Sequence, residues 1–108
     1  MKSLVEMTDF EINRLVARKL GIGLGLRKVR GEESAVRLKN GIVKDYCNNI
    51  ADAWPIIESN LIGIEWDCET ECDTPTSWCN AFSLLTKHAV MHQSNAARAA
   101  MICFLGEE

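Results

Sequence analysis

The first predicted helix, over residues 7–21, is indicated by apolar positions that recur every three or four residues. These positions form one stripe, made of Ile12, Leu15, Val16 and Leu20. Thr8 precedes the stripe as a candidate N-cap, and Glu11, three residues later, completes a capping box with it. Gly21 predicts the helix end, because glycine adopts the left-handed conformation of a helix terminus without steric cost.

The segment AVRLKNGIVKDY alternates in polarity with a period of two, which predicts strands instead of a helix. Apolar Val36 and Leu38 are separated by a basic residue. Asn40-Gly41 is the favoured pair for a two-residue hairpin turn, and Ile42 begins the return strand. The segment is therefore predicted to form a β-hairpin.

The glycine-rich segment GIGLGLRKV, residues 21–29, precedes this hairpin. A phosphate-binding loop lies between a strand and the start of a helix, whereas these glycines follow a helix end. We therefore expect an extended strand or loop whose backbone approaches a neighbouring element closely.

The segment DYCNNIADAWPII, residues 45–57, combines turn-forming amides with the start of a helix. Asn48 and Asn49 are typical turn residues. Asp52 is a candidate N-cap for a short helix over residues 53–60.

Pro55 would then lie in the first turn of that helix, where its missing N–H costs nothing. The apolar residues beside it are available for the core: Trp54, Ile56 and Ile57. Residues 61–66, LIGIEW, alternate as a strand would. Tryptophans 54, 66 and 78 are expected in the core, although exposed aromatic rings could stack on a base.

The C-terminal half begins with an acidic segment, DCETECDTPTS, which we expect to be an exposed edge or loop. Residues 78–92 fit a helix, but they also fit two strands around an LTK turn. A final helix is predicted over residues 94–106, capped by Ser94 and ended by Gly106. Its apolar stripe consists of Ala97, Ala100, Met101, Phe104 and Leu105.

The composition is that of one soluble domain: 108 residues, 47% hydrophobic and 25% charged. No apolar run approaches the ~20 residues of a membrane span, and Glu6 and Asp9 interrupt the start where a signal peptide would be apolar. We therefore expect a cytoplasmic protein. Its five cysteines, an odd number, are expected to be reduced thiols.

Charge is distributed unevenly along the chain. Residues 1–44 hold ten Lys/Arg against five Asp/Glu, a net of +5, whereas residues 45–108 hold two against ten, a net of −8. One interpretation is a basic patch for phosphates or nucleic acid, formed by Arg27, Lys28, Arg30, Arg37 and Lys39. The other is that the two halves complement each other within one fold or across a homo-oligomer.

The sharpest pattern for metal binding is Cys68-x3-Cys72 followed by His88-x3-His92, which loosely resembles a zinc site. Interleaved carboxylates oppose thiolate formation by raising the thiol pKa, and the histidine spacing requires a helix. The acidic run also lacks the glycine and bidentate glutamate of a standard calcium loop. We therefore expect no metal or other cofactor.

A cysteine nucleophile, Cys47 or Cys79 with His88, has no supporting spacing, and we expect no catalytic residues.

Three stretches resemble the small NinX-like proteins of tailed phages and prophages of enteric bacteria: residues 7–21, 45–57 and 95–105. The middle one is the most specific, although Ile50 stands where the family pattern has proline. The resemblance implies strands over residues 76–92 and an α+β fold. We expect a single domain in which an antiparallel sheet packs with an N-terminal helix, a short middle helix and a C-terminal helix.

The resemblance implies a phage protein of unassigned activity. We expect a non-enzymatic accessory protein that binds a host protein in the bacterial cytoplasm. The alternative is a protein that binds a small nucleotide ligand, with polar and aromatic groups at a helix N-terminus as its site: Asn48, Asn49, Asp52 and Trp54. Binding of nucleic acid through the basic patch is a weaker alternative.

Overall fold

The computed structural model describes residues 3–22, 27–29, 32–38, 41–69 and 76–106, with the backbone alone at 27–29, 32, 33, 76 and 92. The described residues form an α+β domain with three α-helices and two three-stranded antiparallel sheets. After a short 3-10 helix at Leu4–Glu6, the order is α1 (Asp9–Lys19), β1 (Arg27–Val29), β2 (Glu32–Arg37), β3 (Val43–Lys44), α2 (Ile50–Ser59), β4 (Ile62–Glu69), β5 (Thr76–Ser83), β6 (Ala89–Gln93) and α3 (Ala96–Leu105). The predicted fold class is therefore confirmed.

Helix α1 begins with the predicted capping box. The Glu11 N–H donates to Thr8 Oγ1 at 3.2 Å, and the Thr8 N–H donates to Glu11 Oε1 at 2.9 Å. Ile12 and Val16 are fully buried, but Leu20 lies on the surface and does not belong to the buried face. Residue 20 follows the last helical residue, so the predicted stripe ends one turn earlier than expected.

The first sheet has the order β1-β2-β3, and its β2–β3 pair is the predicted hairpin. The Leu38 N–H donates to Ile42 O at 2.8 Å, and the Gly41 N–H donates to Leu38 O at 2.9 Å. The connection between the paired residues is thus three residues long instead of two. Gly41 has φ +90, as the last residue of such a three-residue connection requires. Asn40, in the predicted turn, lies outside the described residues.

Helix α2 begins earlier than predicted. Its N-cap is Asn49, whose Oδ1 accepts from the Ala51 N–H at 3.0 Å, and its first residue is Ile50. The predicted cap, Asp52, is the third helical residue. Pro55 consequently lies inside the helix, where it removes the N–H that would reach the carbonyl of Ala51.

The buried face of α2 consists of Ala53, Ile56 and Ile57. Trp54 follows Ala53 by one residue, which in a helix is a rotation of about 100°. Its side chain is therefore turned outward and is 53% exposed. The prediction that Trp54 packs in the core is wrong.

The second sheet has the order β4-β5-β6, and it confirms strands instead of a helix over residues 76–92. Strand β5 pairs with β4 from Ile62↔Ser83 to Glu69↔Thr76. The turn to β6 is closed by the Lys87 N–H, which donates to Ser83 O at 2.9 Å. Strand β4 runs three residues beyond the predicted end at residue 66, so part of the acidic segment is an exposed strand. The rest of that segment, residues 70–75, lies outside the described residues.

Helix α3 forms the centre of the core. Its buried residues surround its axis: Ala97, Ala99, Ala100, Met101, Ile102, Cys103 and Phe104. A helix that is apolar all round must be enclosed, and α3 contacts α1, α2 and every strand of the second sheet. The cap is Asn95 instead of the predicted Ser94, because Asn95 Oδ1 accepts from the Arg98 N–H at 3.1 Å.

None of the helices in the described part of the chain is long and apolar enough to cross a bilayer.

Candidate functional site

The segment 45–57 lies where the N-termini of all three helices meet. The Asn48 Nδ2 group donates to Asp9 Oδ2 at 3.1 Å, in the first turn of α1. Its Oδ1 accepts from Asn95 Nδ2 at 3.0 Å, at the cap of α3. Asn49 caps α2. We call this meeting point, formed around Asp9, Asn48, Asn49 and Asn95, the helix junction.

The carboxylate of Asp45 is bound from several sides within the helix junction. It accepts from Asn13 Nδ2 at 2.8 Å, from Ser34 Oγ at 2.6 Å and from Asn48 Nδ2 at 3.2 Å. Asn13 is fully buried, and it also donates to Ser34 O at 2.8 Å and accepts from the Cys47 N–H at 3.0 Å. The polar groups of the junction therefore form hydrogen bonds with one another, and these bonds join α1, β2 and the 45–48 turn.

An ion pair joins the N-terminal segment to α3. Arg98 Nη1 lies 2.5 Å from Asp9 Oδ1, and Arg98 Nη2 donates to Met7 O at 2.6 Å and to Val5 O at 3.3 Å. Carboxylates are favourable near helix N-termini, where backbone N–H groups create a partial positive charge. Asp9 and Asp45 supply that negative charge from within the chain.

Asp52 lies at the edge of the junction, beside an open cleft. Its Oδ2 accepts from the Asp45 N–H at 3.0 Å, and its Oδ1 lies 3.4 Å from Lys44 Nζ. The cleft has a volume of about 290 Å³ and is also lined by Tyr46 and Pro55. Burial and the nearby Asp52 carboxylate raise the pKa of Tyr46. The phenol is therefore a neutral hydrogen-bonding group.

The four residues predicted to bind a ligand lie in three different settings. Asn48 and Asn49 hold the helix junction together, and Trp54 is exposed on the outer side of α2. Asp52 lines the cleft beside Tyr46 and Pro55.

Asn13, Ser34 and Arg98, which complete the junction, were not identified from the sequence. Asn13 carried a signal, because it lies three and four residues before the buried Val16 and Ala17 and so on the same face. A polar residue on an apolar helix face predicts a buried hydrogen-bond partner.

The residues of the zinc pattern are separated by the second sheet. Cys68 pairs with Ser77 at one end of β5, whereas His88 bonds Ser83 at the other end. Six residues of strand span about 20 Å, so these two side chains cannot bind one ion. His92 lies on β6, and Cys72 lies outside the described residues. Within those residues, no group of three or more potential metal ligands occurs.

The candidate nucleophiles are buried thiols. Cys47 and Cys79 are fully buried, and burial raises the pKa of both. For Cys47 the nearby carboxylates of Asp9 and Asp45 raise the pKa further, against an opposing effect of Arg98. A thiol held in its protonated form is a poor nucleophile, so the geometry gives no support to cysteine catalysis.

Three of the five residues of the predicted basic patch lie in the described part of the chain. Arg37 is exposed on β2, and Arg27 on β1 lies directly opposite it in the pairing register, with Lys28 next to it. Arg30 and Lys39 lie outside the described residues. The described members therefore lie on two neighbouring strands of the first sheet.

Exposed aromatic side chains are the surface feature that the sequence prediction missed. Trp66 is 60% exposed and lies in the half of β4, residues 65–69, in which every residue is exposed. Phe82 on β5 is 43% exposed, and its ring lies over Gly63, where a Cβ would come within 2.9 Å of it. Trp78 is half-buried. The expectation of core positions is therefore wrong for Trp54 and Trp66.

Comparison with known proteins gave one family. The family model described as "Bacteriophage P22, NinX" matches residues 3–107, nearly the whole chain. No curated protein and no solved structure matches the chain.

Proposed function

The chain belongs to the NinX family of bacteriophage P22, and from this premise we propose that it is a non-enzymatic accessory protein that binds and modulates a host protein in the bacterial cytoplasm. The observation that carries the proposal is the exposed end of the β4–β5 hairpin. The non-enzymatic part of the proposal is supported by the two candidate nucleophiles, because Cys47 and Cys79 are buried and burial raises the pKa of both thiols.

The exposed hairpin end consists of the exposed β4 residues 65–69. Trp66 lies within it, and Glu65 and Asp67 flank it with exposed carboxylates. Tryptophan is enriched among the residues that dominate binding energy at protein interfaces, and exposed apolar groups with a polar rim mark such surfaces. This arrangement favours a protein partner that offers an apolar pocket surrounded by basic groups.

The test is affinity purification of tagged protein from infected cells, followed by mass spectrometry. The chain offers a matched control, because Trp54 is as exposed as Trp66 but lies on α2. We expect the wild-type protein and Trp54→Ala to enrich the same host protein, and Trp66→Ala to lose it. The proposal is wrong if no host protein is enriched over the tag alone, or if Trp66→Ala retains the same partner.

A small nucleotide ligand in the cleft beside Asp52 is the second candidate function. It is favoured by Tyr46, which is only 3% exposed and yet lines the cleft. A ligand at 100 times its dissociation constant would stabilise the protein by about 2.7 kcal/mol. Thermal unfolding against nucleotides and cyclic dinucleotides, with Tyr46→Phe as the comparison, tests it. A ligand that stabilises both proteins equally would exclude this cleft.

Nucleic-acid binding through the basic patch is supported by the facing positions of Arg27 and Arg37. It predicts affinity that falls steeply with salt. A mobility-shift assay at ~50 mM salt that shows no retardation would exclude it.

A further inference from the structure

A second cavity, of about 430 Å³, shares no lining residue with the Asp52 cleft and lies where the N-terminal segment meets the end of α3 and the start of β6. Its floor is apolar and is formed by the buried side chains of Leu4, Val90 and Ile102. Small-molecule sites have volumes of roughly 300–1,000 Å³, with mainly apolar walls and few polar groups. The cavity meets this description.

The cationic group of the cavity is Lys87. Its side chain is exposed, and its ammonium forms no ion pair with any carboxylate in the described part of the chain. Its backbone has φ +66, a left-handed conformation that is unusual for a residue with a side chain. The Lys87 N–H bond to Ser83 O and the Ser83 N–H bond to His88 O hold this turn in place. Lys87, which lines the cavity, is thus held by a constrained backbone.

The polar group beside it is His88, whose ring is fixed against Gly106. A Cβ on Gly106 would lie 2.6 Å from His88 Cε1 and 3.0 Å from Nδ1, so the ring fills the space that a side chain would take. His88 Nδ1 is buried and finds no hydrogen-bond partner among the described residues. Because a buried N–H without an acceptor is rarer than an unsatisfied acceptor, we assign the proton to Nε2. Nε2 lies on the same side of the ring, 3.4 Å from that Cβ position, and Gly106 and His88 both line the cavity.

We propose that this cavity binds a small monocarboxylate with an apolar body. The apolar body lies against Leu4, Val90 and Ile102, and the carboxylate lies between the Lys87 ammonium and His88 Nε2–H. One negative charge matches one cation and one neutral donor, whereas a phosphate with two charges would lack a second cation among the described residues that line the cavity. The inference does not depend on the host-protein proposal, since the hairpin and the cavity are different surfaces.

In the experiment, the isotope-labelled full chain is titrated with octanoate, and binding is monitored by the methyl resonances in NMR spectra. We expect saturable shifts at Leu4, Val90 and Ile102. Octanol, which has the same apolar body without the charge, serves as the neutral probe. Lys87→Gln removes the cation and keeps the length of an exposed side chain, and Lys44→Gln is the matched control, because Lys44 lines the other cleft.

In the proposed site, Lys87→Gln weakens octanoate binding about tenfold or more, since it removes a charge-assisted hydrogen bond, and it leaves octanol binding unchanged. Lys44→Gln behaves like the wild type. The proposal is overturned if octanoate causes no saturable shift in the millimolar range, if the shifts lie at other methyl groups, or if both lysine variants weaken binding equally.

Discussion

Replacing Asn13 by alanine should be among the most destabilising single substitutions in the protein. Asn13 is fully buried in α1 and forms hydrogen bonds with the Ser34 carbonyl, the Asp45 carboxylate and the Cys47 N–H. The substitution leaves the Cys47 N–H without its partner in the interior and removes a donor from a partly buried carboxylate. These groups cannot be rehydrated without opening the packing of α1 on β2.

The magnitude follows from the number and type of these bonds. A neutral hydrogen bond contributes about 1 kcal/mol and one to a charged group about 2 kcal/mol, so the loss is about 4 kcal/mol. This is a large fraction of the ~5–15 kcal/mol that stabilises a typical domain. We expect the urea concentration at the midpoint of unfolding, measured by far-UV circular dichroism, to be lower in the variant than in the wild type.

Two further variants separate the hydrogen bonds from packing. Arg14→Ala changes the neighbouring, exposed position and should alter the free energy of unfolding by no more than about 0.5 kcal/mol. Asn13→Leu refills most of the volume but leaves the same groups unpaired, so it should be nearly as destabilising as Asn13→Ala. Wild-type stability in Asn13→Leu would refute the reasoning, because packing alone would then suffice.

Asn49→Ala should lower the free energy of unfolding by about 1 kcal/mol, because it removes the α2 cap. Trp54→Ala, at an exposed position, should change it by no more than about 0.5 kcal/mol. Equal effects of the two variants in urea unfolding would contradict the assigned helix start. In a Cys72→Ser background, Cys68 should react with a thiol reagent at once and the three buried thiols only on unfolding; a second fast thiol would contradict their burial. Burial raises the pKa of these thiols, so the folded state favours the protonated form. The raised pKa values therefore add to the free energy of unfolding fully below about pH 9, and this contribution is lost as the pH rises further. Urea unfolding at pH 7 and pH 10 checks this. Gly106→Ala should lower the melting temperature by several degrees, since the new Cβ meets the His88 ring and the backbone has φ +90; an unchanged melting temperature would show that the ring is free to move.

The helices that the sequence predicted well are those with local signals. The capping box of Thr8 and Glu11 needs only four consecutive residues, and the structure contains it as predicted. The start of α2 was missed because Asn49 and Asp52 are both good N-caps, and the choice depends on the Asp45 N–H, which occupies the Asp52 carboxylate. Ile50 carried the missing signal: it is the first helical residue, the position that proline favours, and proline is the residue that the family resemblance leads one to expect there.

The sequence predicted several residues of the candidate site, but it did not predict which contacts their side chains form. Asn48 bonds residues 39 and 47 positions away along the chain, and such contacts leave no periodic trace in the sequence. The tryptophans were assigned to the core because of their residue type. Their exposure depends on where β4 leaves the body of the fold and on which side of α2 faces α3.

The central position of α3 also determines when the protein can fold during synthesis. This helix is translated after every other described element, and it carries Arg98, which bonds Asp9 and the carbonyls of Val5 and Met7 at the opposite end of the chain. A nascent chain that ends before residue 96 lacks the helix around which the other elements pack. The core therefore assembles only after α3 has left the ribosome, and any premature stop codon upstream of α3 yields an unfolded product that bacterial proteases can degrade.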